Sequence, residues 1–495
     1  MPKESPEIFL SGIKLSRKSS EPLYAQLYAQ LREMIIHGRL RAGDRLPAGR
    51  TLAEELGISR VIVSQTYEQL TIEGYLIGKT GSGTFVADTL PDHLLHAGKL
   101  KVVSPKPKKE PVVNINESTV RLPASSTENE IVPFHLGVPS LDSFPFKIWH
   151  QIGNKVLKDL KKQNLGYNNT LGYWPLRKAI ASYLRLSRAV QCEAEQVIIV
   201  TGAQQGMNLV AQCLLKRGDK VCIEDPGYFG AASAFANAGV EMCPVPVRED
   251  GFDVDYAQAT YKNIKLAYVT PSHQFPLGYT LSQEKRKQLL AWAEANDTWI
   301  LEDDYDSEYR YEGRPLPSLQ GLDTCGRVIY CGTFSKVLFP ALRLGYLVLP
   351  SAEMVQGFKK IKQIIDTQPP LMEQLILCSF MEEGYFLRHI RKMRLLYAER
   401  LNTLLTLVKD QLSEFLTPNT SQSGMHLLCW LSDDIDAAKL KAEVRKEKVF
   451  VSFPSEYTIQ HHMPPSITLG FPAFTKYRLK LGVEKLKVCM ERARK

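Results

Sequence analysis

Apolar residues recur along this chain in two different rhythms. Between Pro22 and Ile36 they fall at Leu23, Leu27, Leu31, Met34 and Ile35, one face of a helix closed by Gly38. Gly43-Asp-Arg-Leu-Pro47 reads as a turn, and a short helix is predicted over 50–56, stopped by Gly57. Ser59 stands as the N-cap of a longer helix running from Arg60 to Gly74, with Val61, Val63, Tyr67 and Leu70 among its apolar residues. Tyr67 and Leu70 are expected in the core. Tyr75 to Val86 then reads as a hairpin with a Gly81-Ser82-Gly83 tip. Short helix, glycine turn, serine cap and longer helix is the order of a helix-turn-helix.

From about Val132 the rhythm changes. Buried strands are predicted at 197–201, 220–224, 266–270, 298–302, 328–331 and 345–349, with helical segments between several of them. That alternation predicts an α/β domain with a mostly parallel sheet. Between the two patterns, Ser104-Pro-Lys-Pro-Lys-Lys-Glu-Pro111 and the polar stretch 124–130 predict an extended tether. The expected division is therefore a DNA-binding unit over 18–89, a linker over 90–131 and an α/β domain over 132–495.

Composition adds exclusions. The chain has 495 residues, 44% hydrophobic and 23% charged, an ordinary globular mix. Its nine cysteines are scattered, with no CxxC and no Cys/His ligand spacing, so neither a disulfide framework nor a metal site is expected. No signal-peptide core opens the sequence, and no apolar run approaches the ~18 residues of a membrane helix. The expectation is a cytoplasmic protein with no membrane partner. Net charge is +9, yet 1–89 and 90–131 each carry only about +1 and the remainder about +7. Any DNA contact must come from where charges sit, not from their sum.

The densest chemistry lies between Thr201 and Arg343. Lys336 follows a predicted strand and is flanked by Thr333, Ser335 and Arg343. A nucleophilic amine suits an aldehyde, and hydroxyl and guanidinium donors suit a phosphate. Asp303 ends another strand, within Glu302-Asp-Asp-Tyr-Asp-Ser-Glu308. A carboxylate there keeps a pyridine nitrogen protonated, and Tyr305 could bond a ring oxygen. Thr201-Gly-Ala-Gln-Gln-Gly206, between strand and helix, offers amides and Gln204 to a phosphate. Tyr228, in Glu224-Asp-Pro-Gly-Tyr-Phe229, is placed to stack on a ring. Together these residues point to pyridoxal 5′-phosphate. A metal reading of the Glu302–Asp306 carboxylates is the weaker alternative.

Two resemblances follow. Arg50-Thr-Leu-Ala-Glu-Glu-Leu-Gly-Ile-Ser-Arg60, Tyr67-Glu-Gln-Leu-Thr-Ile-Glu-Gly-Tyr-Leu76 and Gly81-Ser-Gly-Thr-Phe-Val86 resemble the GntR-type winged helix. That resemblance implies DNA contacts from Arg50, Ser59, Arg60, Ser64, Thr80 and Gly81. The segments around Lys336, Asp303, Gln204 and Tyr228 resemble fold-type I aminotransferases. By that resemblance Lys336 is the Schiff-base lysine, Asp303 the partner of the pyridine nitrogen, and Tyr305 the contact to the ring oxygen. Tyr228 stacks on the ring, and Ala203, Gln204, Thr333, Ser335 and Arg343 hold the phosphate. Tyr167 reaches the phosphate from a second copy, which implies a homodimer. The pairing of the two parts resembles the MocR subfamily of transcriptional regulators. The resemblance implies a bacterial protein acting on a double-stranded operator at the nucleoid, answering to the cofactor itself or to a small amine bound through Lys336.

The chain departs from the aminotransferase pattern twice. Phe275 stands where an Asn usually meets the ring oxygen, leaving His273 and Gln274 as substitutes. Thr468, in Pro465-Ser-Ile-Thr-Leu-Gly-Phe471, stands where an Arg usually grips a substrate carboxylate. Amino-acid turnover is therefore put in doubt, with a transamination half-reaction left open. A working aminotransferase with a DNA-binding arm is the first alternative, and a degenerate dimerisation scaffold the second.

Overall fold

The structure, a computed structural model, describes residues 12–17, 19–79, 81–88, 132–313, 316–419 and 423–495. The expected tether and Thr80 lie outside the described residues. The chain forms two compact units, one N-terminal and one C-terminal.

In the first unit, α1 (Leu23–Ile36), α2 (Gly49–Leu56) and α3 (Arg60–Ile72) precede the hairpin β1 (Leu76–Lys79) and β2 (Gly83–Val86). Leu27, Leu31, Ile35, Leu52, Val63, Tyr67 and Leu70 form its core, with Ile13 and Leu15 packed against it. Gly57 ends α2 in the left-handed conformation, φ 62°, where a side chain costs energy. Ser59 caps α3, its hydroxyl accepting from the Ile62 amide. One expectation is extended. The segment 43–46 is more than a turn: Leu46 N donates to Thr84 O and Val86 N to Asp44 O, both at 2.9 Å, so it pairs along the hairpin. Tyr67 and Leu70 are buried as expected, whereas Val61 is 72% exposed, on the outward face of α3 beside Arg60 and Ser64.

The second unit holds an eight-stranded sheet in the order β3-β10-β9-β8-β7-β4-β5-β6. Its strands are β3 (Val197–Val200), β4 (Lys220–Asp225), β5 (Glu241–Arg248), β6 (Gly251–Phe252), β7 (Ile264–Val269), β8 (Trp299–Asp304), β9 (Val328–Thr333) and β10 (Gly345–Val348). The pairs β5/β4, β4/β7, β7/β8 and β8/β9 are parallel; β10 runs antiparallel to both β3 and β9, and β6 antiparallel to β5. The strand interiors are buried. Helices 203–214 and 283–295 contribute to separate buried clusters against the strands. A three-stranded antiparallel sheet follows, β11 (Leu416–Pro418), β12 (His426–Leu431) and β13 (Ser466–Gly470), with its own core against helices Tyr385–Gln411 and Lys476–Arg492.

Candidate functional site

The carboxyl ends of parallel strands leave a crevice where ligands bind in open α/β sheets. Here a cavity of about 530 Å³ opens there, lined by Ala203, Gln204, Tyr228, Asp303, Tyr305, Thr333, Ser335, Lys336 and Arg343 among others. Residues spread over 140 positions of sequence thus meet in one cavity. Tyr167 is the exception: it is 91% exposed and no part of this wall.

Each member is positioned by a local feature. Ala203 and Gln204 begin helix Ala203–Leu214 directly after β3, with Gly202 at φ 115° making the bend. That φ favours glycine, and the Arg343 guanidinium packs beside it, 3.4 Å from where a Cβ would stand. Lys336 follows β9, and its Nζ donates to Gly137 O at 3.0 Å. A Cβ on Gly137 would come within 2.5 Å of that nitrogen. Burial pushes the lysine's pKa down, opposed by Asp306 and Asp303. A larger neutral fraction than on a surface lysine makes the amine a better nucleophile.

The carboxylates of β8 are sorted by strand alternation. Glu302 accepts from the amides of Leu319 and Gln320, each at 2.9 Å. Asp304 pairs with Arg188 at 2.8 Å. Asp303, between them, faces the cavity, where one oxygen accepts from Tyr268 OH at 2.8 Å and the other is buried with no hydrogen-bond partner. Burial pushes the Asp303 pKa up to about 7, with Asp304 and Asp306 adding and Tyr268 and Lys336 opposing. Among the described residues no group of three or more His, Cys, Asp or Glu is placed to hold a metal ion.

The donor set fits pyridoxal 5′-phosphate. An amine, an unpartnered carboxylate oxygen, an unpartnered Ser335 hydroxyl, Thr333, the amides of a helix start and a guanidinium share one cavity. The fit yields a stability prediction. An acid whose folded pKa exceeds its unfolded one costs stability as pH rises through the interval, here from about 4 to about 7. Asp303→Asn is expected to raise the stability of the cofactor-free protein at pH 8 by on the order of 1–3 kcal/mol, with little change at pH 4. Thermal melts at the two pH values check it; equal effects at both would refute the assignment.

Sequence reasoning left two substitutes for the missing Asn. Gln274 is tied elsewhere, its amide donating to Pro226 O at 2.9 Å and to Phe275 O at 2.6 Å. His273 is the one that reaches Tyr305: its Nδ1 lies 3.1 Å from the Tyr305 hydroxyl and 3.0 Å from Asp306 Oδ2. Asp306 thus serves His273, which its position beside Asp303 did not reveal.

In the first unit, Arg50, Ser59, Arg60 and Ser64 are all exposed on α2 and the start of α3. Gly81 is exposed at the hairpin tip with φ 74°. Val61 joins them, and Arg45 lies against Gly83 at the base of the tip, where a Cβ would be 3.1 Å from its Nε. Neither was singled out by pattern, since an apolar helix residue is usually core and a turn arginine usually solvated.

This arrangement is that of a winged helix-turn-helix joined to a fold-type I aminotransferase-like domain. The family model for bacterial regulatory proteins of the gntR family matches residues 23–86, and that for aminotransferase class I and II matches 132–486. The chain is 37% identical over 478 residues to the probable rhizopine catabolism regulatory protein MocR of Rhizobium meliloti, covering 96% of this chain and 94% of that one. It is 32% identical to the pyridoxine biosynthesis transcriptional regulator PdxR of Corynebacterium glutamicum, covering 86% and 88%. Its fold is also that of Pyrococcus horikoshii kynurenine aminotransferase, solved in complex with PMP, at a TM-score of 0.69 and 26% identity over 76% of this chain and 97% of that one. The chain belongs to the MocR group of GntR-type transcriptional regulators. No helix among the described residues is long and apolar enough to cross a membrane.

Proposed function

We infer that this regulator binds pyridoxal 5′-phosphate at Lys336 and changes its hold on a double-stranded operator according to what occupies that site, the cofactor itself or a small amine. The observation that carries the reading is the pairing of Lys336 with the unpartnered Asp303 oxygen in one cavity. The cofactor would supply an aldehyde for amines and an electron-withdrawing ring. Lys336 would take the aldehyde carbon, and Asp303 would hold the proton on the ring nitrogen. Tyr305, oriented by His273, would bond the ring oxygen, and Tyr228 would cover the ring. Ala203, Gln204, Thr333, Ser335 and Arg343 would hold the phosphate.

The unit over 18–89 would read DNA, that over 132–495 would sense, and 90–131 would tether them in the cytoplasm at the nucleoid. Ser59, Arg60, Val61 and Ser64 suit a major groove, since amides and cations at a helix start meet phosphates and a valine suits a thymine methyl. Arg50, Thr80 and Gly81 would add backbone contacts. A homodimer would bring Tyr167 to the partner's phosphate site. Its exposure supports this, as does that of Ile364 (83%) near Gln368, whose side chain accepts from the amide of Asn168.

The test is operator affinity, measured by fluorescence anisotropy with the cofactor absent, present and present with amines, beside an assay for steady transamination. A ligand-dependent change in affinity without turnover is expected. Sustained turnover with ligand-blind DNA binding would favour the aminotransferase reading instead, for which the intact Lys336, Asp303 and Tyr305 speak.

A further inference from the structure

The departure at Thr468 gains meaning from the small sheet. In the β12/β13 register His426 lies opposite Gly470 and Leu428 opposite Thr468. Residues directly opposed, and those two apart along a strand, share a face. Thr468 therefore shares the face of His426, which lines the cavity. Beside it stand Ser452 and Tyr457. Thr468 N donates to Ser452 O at 2.8 Å, and Ser452 Oγ donates to the Tyr457 hydroxyl at 3.0 Å. Tyr457 lines the cavity, its ring 5.0 Å from Phe229 and 5.1 Å from Phe275. Asp225 accepts from the amides of Ile459, Gln460 and His461 at 2.7–2.8 Å, fixing the segment just beyond Tyr457.

This wall is neutral. Its side chains are Tyr457, Phe275, Met425, His426, Phe450 and His135, and burial holds both histidines towards their uncharged forms. The cations in the lining are Lys336 and Arg343, which the proposed cofactor engages. Two buried polar atoms on the shared sheet face, His426 Nε2 in the cavity lining and Thr468 Oγ1 on the neighbouring strand outside it, have no hydrogen-bond partner among the described residues. Neutral polar atoms of this kind suit hydroxyls or other uncharged groups, whereas a buried carboxylate demands a cation.

We propose that the effector is a primary amine that carries no carboxylate, its neutral body resting on the Tyr457–Phe275–His426 wall. This rests on the cofactor reading above. The effector nitrogen forms the bond to the aldehyde carbon that Lys336 gives up, and the two protons of the incoming amine end on the lysine nitrogen. Nothing is oxidised or reduced.

The experiment uses the full chain loaded with pyridoxal 5′-phosphate and two matched pairs, ethanolamine with serine and 2-phenylethylamine with phenylalanine. Binding is read by visible absorption. In each responding pair the amine is expected to bind at least about tenfold tighter than the amino acid. Equal affinities, or preference for the amino acid, overturn the proposal. So does silence towards all four compounds when borohydride still fixes the cofactor on Lys336, which leaves the cofactor reading standing. Failure of borohydride to fix it overturns both. Thr468→Arg is expected to narrow the ratio at least about tenfold; an unchanged ratio in a variant of normal thermal midpoint counts against the proposal. Should that variant not fold, the wild-type ratios alone decide.

Discussion

Lys336→Ala is expected to abolish both the visible absorption of the bound cofactor and the adduct that borohydride fixes on the chain. Lys336 is the one lysine in the cavity lining among the described residues, so no second amine is positioned to replace it. The loss should be complete rather than partial, because a covalent link has no graded form. The phosphate contacts proposed for Thr333, Ser335 and Arg343 would persist in the variant, so non-covalent cofactor affinity should fall without vanishing. Lys336 Nζ makes one hydrogen bond, to Gly137 O, and its removal leaves the sheet intact. The thermal midpoint of the cofactor-free protein should therefore move by only a few degrees. DNA affinity should survive while its response to amines disappears. Peptide mass spectrometry after reduction checks the first point; an adduct retained elsewhere in the variant would sink the assignment.

Arg188→Met is expected to be strongly destabilising. Arg188 and Asp304 are paired at 2.8 Å with side chains 5% and 0% exposed. The guanidinium also donates to Leu316 O at 2.7 Å and Ser272 Oγ at 2.6 Å, while Asp304 accepts from Ser307 and Tyr330. Taking away one partner leaves a buried charge uncompensated, at a cost of about 3–5 kcal/mol. Arg188 and its neighbours hold the Asp304 carboxyl below its usual range. A depressed acid contributes stability above its unfolded pKa and loses it as pH falls through the folded one. The gap between wild type and Arg188→Met should thus be widest near neutrality and shrink in acid. Denaturant unfolding near neutrality and at about pH 3, below the unfolded carboxyl's value of about 4, measures it. The double change Arg188→Met/Asp304→Leu should recover part of the loss, since an apolar pair needs no compensation.

Much of this was legible in the sequence for one physical reason: strands and caps announce themselves locally. The six predicted strands occur within two residues of their expected ends, and Ser59 caps α3 as its spacing implied. Lys336, Gln204 and Tyr228 follow strands and Asp303 ends one, and these strand ends face the one cavity that all four line. What escaped depends on pairings between distant segments. Arg188 and Asp304 are 116 positions apart, and Asp225 holds amides 234 or more positions away. Nothing local in either segment marks its partner. The placement of His273 depends on Asp306, two residues beyond β8, which pattern alone groups with the acids of that strand. The exposure of Val61 on the outward face of α3 had no signal in the pattern, since helical periodicity places apolar residues inside by default.

The alternation along β8 carries a further consequence, for how this gene can drift. Glu302, Asp303 and Asp304 do three unrelated jobs, holding a helix start, facing the cavity and neutralising an arginine. Parity turns Asp303 to one face of the sheet and Glu302 and Asp304 to the other, and position along the strand separates those two. Inserting or deleting one codon within the strand would keep all the acids and hand every one of them the wrong task. A frame-preserving length change in this strand should therefore damage sensing and folding together.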